Sequence, residues 1–184
     1  MKLIHIDYKN QQAQKYDPHN LISVMLGVSG ENIENYAITQ SGQGGNYNQE
    51  TVITSGEGQT NGKKIVYSSQ SRDGKTVIEG KIGDKEFAII KQGNKDKSTI
   101  KGQIGNKPFV MKVDSKGNGY GKIAQPEGVK TFGVSMDKHG GIGQVGEQKF
   151  AFNRQGRTVR GQLQQKNQHK NQGFGSTSSN NTAT

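Results

Sequence analysis

One short unit recurs along this chain, and it dictates most of what the chain can fold into. Ile78-Glu79-Gly80-Lys81-Ile82-Gly83-Asp84 leads to Phe87-Ala88-Ile89. Ile100-Lys101-Gly102-Gln103-Ile104-Gly105-Asn106 leads to Phe109-Val110-Met111. Gly141-Ile142-Gly143-Gln144-Val145-Gly146-Glu147 leads to Phe150-Ala151-Phe152. Each time a Phe follows the central Gly by seven residues. A fourth copy, Gly119-Tyr120-Gly121-Lys122-Ile123 with Phe132-Gly133-Val134, is stretched by four residues around Gln125-Pro126-Glu127-Gly128. Val159-Arg160-Gly161-Gln162-Leu163 forms a last half copy. The central glycines are 22, 19, 22 and 18 residues apart. Repetition at such a period means one supersecondary unit used many times.

The spacing says which unit. Gly83-Asp84, Gly105-Asn106 and Gly146-Glu147 suit two-residue type II′ turns, in which Gly supplies the positive φ of the first position. Such a turn sets the register of the strands around it. Gly80 then stands opposite Phe87, Gly102 opposite Phe109, and Gly143 opposite Phe150, so that a ring covers a residue with no side chain. The same register pairs Ile78 with Ile89 and Ile100 with Met111. One face is apolar, and the other carries Glu79, Lys81, Lys101, Gln103, Lys112 and Gln144. Asn61-Gly62, between Thr51–Gln59 and Lys63–Ser69, is a further hairpin signal, and Arg72-Asp73-Gly74 marks the next turn.

The choice of apolar residue agrees. The chain has 15 Ile and 11 Val against four Leu, with 27 Gly and only three Pro. β-Branched side chains pack well on a pleated surface, and Gly weakens helices. The predicted fold class is all-β, an antiparallel meander of repeated hairpins. About a dozen short strands with one wet face tend to curl or close, so an up-and-down barrel or coiled roll is the first choice. A flatter hairpin stack, covered by residues 1–35 or by another copy, is the second.

Three regions follow. Residues 1–35 form an N-terminal segment, residues 36–164 the hairpin-repeat domain, and residues 165–184 a polar tail expected to be disordered. Lys2–Tyr8 reads as a short strand. Asp17-Pro18 reads as a helix start, with Asp as N-cap and Pro at the first helical position. A short helix over residues 18–26 would bury Leu21, Ile22, Met25 and Leu26 and end at Gly27. A buried strand through Leu21–Val28 competes with it, because so short a helix is marginal.

Function is much less legible. No Cys is present, which excludes disulfides and thiolate metal sites. His5, His19, His139 and His169 form no metal-ligand spacing, and His139 reads as a turn residue. Gly141-x-Gly143-x-x-Gly146 matches a dinucleotide fingerprint as a string, but a strand follows where that motif needs a helix. Asp114–Gly119 echoes a calcium loop, yet Lys116 stands at the second ligand position and Gln125 where the twelfth-position Glu belongs. Glu79 and Glu86 fall on a wet face or rim, with no mark of a paired general acid and base. The expectation is a non-catalytic protein with no cofactor.

The net charge of +10 is uneven. Residues 1–62 hold three Lys and six acids, whereas residues 63–164 hold 20 basic and nine acidic residues. Lys81, Lys101, Lys112, Lys122, Arg154, Arg157 and Arg160 are the candidate contacts for an anion or partner, and Tyr120 and Phe174 the candidate exposed rings. The expected role is a binding module that presents a basic barrel or roll surface to a macromolecule, either a protein or an anionic polymer. The competing readings are nucleic-acid binding, self-assembly through open strand edges, and a barrel enzyme or small-ligand carrier using room left by the glycines. A solvated Lys-rich exterior that keeps a β-protein from aggregating accounts for the same charges. No apolar run is long enough for a membrane helix, and the N-terminus lacks a secretion leader's apolar core. That leaves the compartment open between the cytoplasm and a leaderless export route. The Lys, Asn and Gln content suggests a bacterial or phage source.

Overall fold

Each two-residue turn reverses the chain and pairs a strand with its successor, and the computed structural model carries this through to closure. It describes residues 18–30, 36–46, 51–60, 62–93 and 96–164. The strand expected at Lys2–Tyr8 and the tail over 165–184 lie outside the described residues. The strands are β1 (Tyr36–Asn46), β2 (Thr51–Thr60), β3 (Lys63–Arg72), β4 (Lys75–Ile82), β5 (Lys85–Gly93) and β6 (Lys97–Ile104). They continue as β7 (Lys107–Asp114), β8 (Asn118–Gln125), β9 (Gly128–Asp137), β10 (Gly140–Val145), β11 (Gln148–Gln155) and β12 (Thr158–Gln164). Consecutive strands pair antiparallel, and β1 pairs with β12 from Tyr36↔Gly161 to Thr39↔Thr158, which closes a twelve-stranded barrel.

The repeat chemistry sits where turn geometry requires it. Gly83, Gly105 and Gly146 take φ of 59°, 58° and 57°, the left-handed region in which Gly meets no steric penalty. Gly80 pairs with Phe87, Gly102 with Phe109, Gly121 with Phe132, and Gly143 with Phe150. The stretched fourth copy keeps this pairing because its two strands lengthen together, with the turn at Pro126-Glu127. Alternate residues point inward, so Ile65, Ile78, Ile89, Ile100, Met111 and Ile123 line one continuous core.

The helix is where sequence and structure part. It runs from Pro18 to Ser29 and is α1 here. Gly27 lies inside it, and Gly30, with φ of 62°, takes the left-handed position that ends it. Gly27 serves packing instead, since the ring of Phe150 occupies the space where its Cβ would be. Burial is not confined to one face either. Every residue from His19 to Ser29 is buried, including Asn20, Ser23, Val24 and Val28. The helix lies inside the barrel, packed against β1 and β6 and against β8 to β12.

An α-helix with its side chains is about 10–12 Å across, so it takes up interior space that small barrels fill with side chains alone. Polar groups on the wall hold it along its length. Asn20 Nδ2 donates to the Asp137 carbonyl at 3.0 Å, and Tyr67 Oη lies 2.7 Å from His19 Nε2 in a buried hydrogen bond. At the other end Lys107 Nζ donates to the Ser29 carbonyl at 3.0 Å and Gln125 Nε2 to the Val28 carbonyl at 3.4 Å. Those two bonds satisfy carbonyls that a helix C-terminus leaves without intrahelical partners.

Candidate interaction surface

With α1 packed inside the barrel, the outer wall is the broadest described face open to other molecules. Its residues follow from the same alternation that fills the core. On β6 to β8 the outward positions bring three of the seven candidate basic residues together. Lys101 stands between Ile90 and Val110, and Lys122 between Val110 and Thr131, in one row that runs around the barrel. A second row, two residues along each strand, runs Thr99, Lys112, Tyr120, Gly133, Gln144 and Lys149. Lys101, Lys112 and Lys122 are all exposed or half-exposed on this wall.

The acid nearest to this group along β7 is Asp114, at the strand end. Its carboxylate accepts the backbone amides of Lys116 at 2.9 Å and Asn118 at 3.0 Å. Those bonds, that from Asn118 foremost, hold its carboxyl below the usual carboxylate range. The loop that echoes a calcium site is thus a turn closed on itself. His139 stands in a similar turn, its amide donating to Asp137 Oδ1 at 2.7 Å.

The other four candidates lie apart. Lys81 on β4 stands opposite Glu86, with Glu79 two residues away, so its surroundings are mixed in charge. Arg154, Arg157 and Arg160 belong to β11, β12 and the turn between them, three to four strands from Lys122. At a strand spacing of about 4.8 Å that is roughly 14–19 Å around the wall. Arg154 Nε donates to the Gly156 carbonyl at 3.1 Å, the Arg157 carbonyl accepts the Gln40 amide at 2.8 Å, and Arg160 faces Asn153 and Ala37. This group sits beside the seam that closes the barrel. Arg154 is not an outward residue: it is half-buried, pairs with buried Val159 and shares the inward face of β11 with Phe150 and Phe152, whereas Arg160 is exposed on the outer face. The seven residues therefore give one outer group of three lysines, with Lys81 and the arginines apart from it, rather than one stripe.

Two further features bear on the competing readings. A shallow groove of about 680 Å³ lies on the outer wall over β3 to β6, lined by Val66, Glu79, Lys81, Glu86, Ala88 and Gln103 among others. It opens broadly to solvent and its charges alternate in sign. The carrier reading drew on room left by the glycines inside the barrel, where α1 lies. The self-assembly reading drew on open edges, and every strand of the barrel has a neighbour on each side.

Lipid-spanning barrels carry an apolar band outside and polar groups within. Here the inner face is apolar and the outer one bears Glu79, Lys81, Lys101, Lys112 and Lys122. No helix among the described residues is long and apolar enough to cross a membrane.

Among the described residues, Tyr120 is an aromatic residue on the outer wall, 72% exposed. A Cβ on Gly133 would lie 3.6 Å from Tyr120 Cδ1 and 3.7 Å from Cε1, so the ring rests beside the bare backbone of β9. The helix's place inside the barrel is the feature sequence reasoning missed. Its signal was present, since Pro18–Ser29 contains no Asp, Glu, Lys or Arg, and a helix without a charged face is buried all round. No protein-family model, no curated protein and no solved structure matches this chain.

Proposed function

We propose that this protein is a non-catalytic binding module whose outer barrel wall takes a negatively charged macromolecule. The observation that carries the reading is the grouping of Lys101, Lys112 and Lys122 on three adjacent strands. Three like charges repel one another, and that self-repulsion is relieved when an anionic partner neutralises them. The helix packed inside the barrel adds weight, because it leaves the wall as the broadest described face for a partner. The Val, Ile and Thr residues between the lysines are short and stiff, so the ammonium groups are the farthest-reaching features of this face.

Retention on immobilised heparin, followed across a salt gradient, tests the reading. Binding should weaken steeply with salt, as it does when a polyanion's counterions are released. Replacing Lys101, Lys112 and Lys122 together by Gln should abolish retention, while the same change at Arg154, Arg157 and Arg160 should leave most of it. A protein that fails to bind at low ionic strength would return these lysines to the role of a solvated exterior.

A further inference from the structure

We infer that the wall over β7 to β10 binds single-stranded nucleic acid, with one base stacked on Tyr120 and neighbouring phosphates held by Lys112 and Lys122. This rests on the polyanion reading and narrows it to one class of partner.

The argument begins with an aromatic residue in an uncommon setting. Among the described residues the Phe rings face inward, over glycines of the neighbouring strands. Tyr120 turns outward on the same framework and is 72% exposed. It borrows the same device, a Gly across the strand pair: Gly133 lies opposite it and leaves room for the ring beside the sheet. The phenol is thus braced by backbone on one side and open to solvent on the other. An exposed ring on a sheet surface is the platform on which unpaired bases stack, and it accepts any base because every base has a π-face.

The charges fall around the ring. Lys112 is directly opposite Tyr120 on β7, where facing side chains start about 5 Å apart. Lys122 is two residues along β8 on the same face, about 7 Å away at strand rise. Lys101 continues the row beyond Val110, and exposed Ile142 stands diagonally past Gly133. An aromatic platform with ammonium groups on two sides matches a chain in which bases with flat π-faces alternate with phosphates. It does not match a duplex, whose bases are stacked on each other and closed to the ring. A sulfated glycan offers charge without a flat π-face, and so cannot stack ring on ring with Tyr120 as a base does.

The experiment uses the full chain and fluorescence anisotropy with a short labelled oligothymidylate, an abasic strand of equal charge, and a duplex. Oligothymidylate should bind about five- to a hundred-fold more tightly than the abasic strand. Tyr120→Ala should remove that difference with an unchanged melting temperature, and Tyr120→Phe should keep it. Lys112→Gln and Lys122→Gln should each reduce the slope of log affinity against log salt by about 0.7. Equal binding of the two single strands, still dependent on the lysines, would overturn base stacking and spare the polyanion reading. Retention on heparin without binding to any oligonucleotide would likewise overturn this inference alone. Failure with both heparin and oligonucleotides would remove both.

Discussion

The ring of Phe150 fills the space that a side chain on Gly27 would take, and on its own sheet it faces Gly143. One phenyl group therefore locks the interior helix to the wall. Ala is the better helix former by about 0.8–1.0 kcal/mol, so propensity alone predicts that Gly27→Ala stabilises the protein. The contact predicts the opposite. We expect a net loss of about 1–3 kcal/mol, as in other overpacked cores, recovered in part by Phe150→Leu in the same chain. A denaturation series on the wild type, the two single variants and the double variant measures this coupling.

Gly102 makes the same argument within the sheet. A Cβ there would lie 2.5 Å from Phe109 Cζ and 2.9 Å from the Ala88 carbonyl oxygen, which is backbone and cannot turn aside. Gly102→Val should lower stability by about 1–3 kcal/mol. A chemical-denaturation midpoint that stays in place would contradict the pairing of Gly102 with Phe109.

Val24 distinguishes an enclosed helix from one lying on a surface. The helical stripe of Leu21, Ile22, Met25 and Leu26 would leave Val24 on the wet side of an amphipathic helix, where Asp is harmless. It is fully buried in the barrel. Val24→Asp should therefore cost more than about 3 kcal/mol. Circular dichroism and thermal melting of this variant would reveal an unfolded or severely weakened chain.

Tyr36 gives the protein an alkaline limit. Burial pushes its hydroxyl well above the ordinary tyrosine range, and the neighbouring Ser23 side chain offsets little of that. Below the ordinary value both folded and unfolded chains keep the proton, and the contribution is complete. Above it the unfolded chain ionises while the folded one does not, so stability falls by about 1.4 kcal/mol per pH unit from this group. Urea titrations between neutral and strongly alkaline pH should show a shallower decline in Tyr36→Phe than in the wild type. Parallel declines would assign the effect to other groups.

The hairpins were legible because their determinants are local. A Gly with positive φ and the seven-residue interval to Phe leave little freedom in register, and Gly80, Gly102 and Gly143 stand opposite Phe87, Phe109 and Phe150. Closure was readable only as a tendency, since it depends on strand number and coiling together. The helix was half legible. Asp17-Pro18 marked its start, but Gly27 imitates a C-cap, and only the barrel shows that its missing side chain makes room for a ring. The surface was legible in residue type and not in arrangement. Which strands are neighbours decides that Lys101, Lys112 and Lys122 cluster while Arg154, Arg157 and Arg160 stand elsewhere.

The seam between β1 and β12 has a consequence for how the molecule forms. Every other strand pairing joins chain neighbours, so hairpins can assemble quickly and in any order. Joining Tyr36 to Gly161 spans nearly the whole domain and waits on the large loop being closed. The plug precedes the wall in the chain and leaves the ribosome first, so the growing sheet has a template to coil around. By its sequence separation the seam is expected to be the last strand pairing to form. Strengthening those few pairs should lengthen the lifetime of the native state more than it speeds its formation.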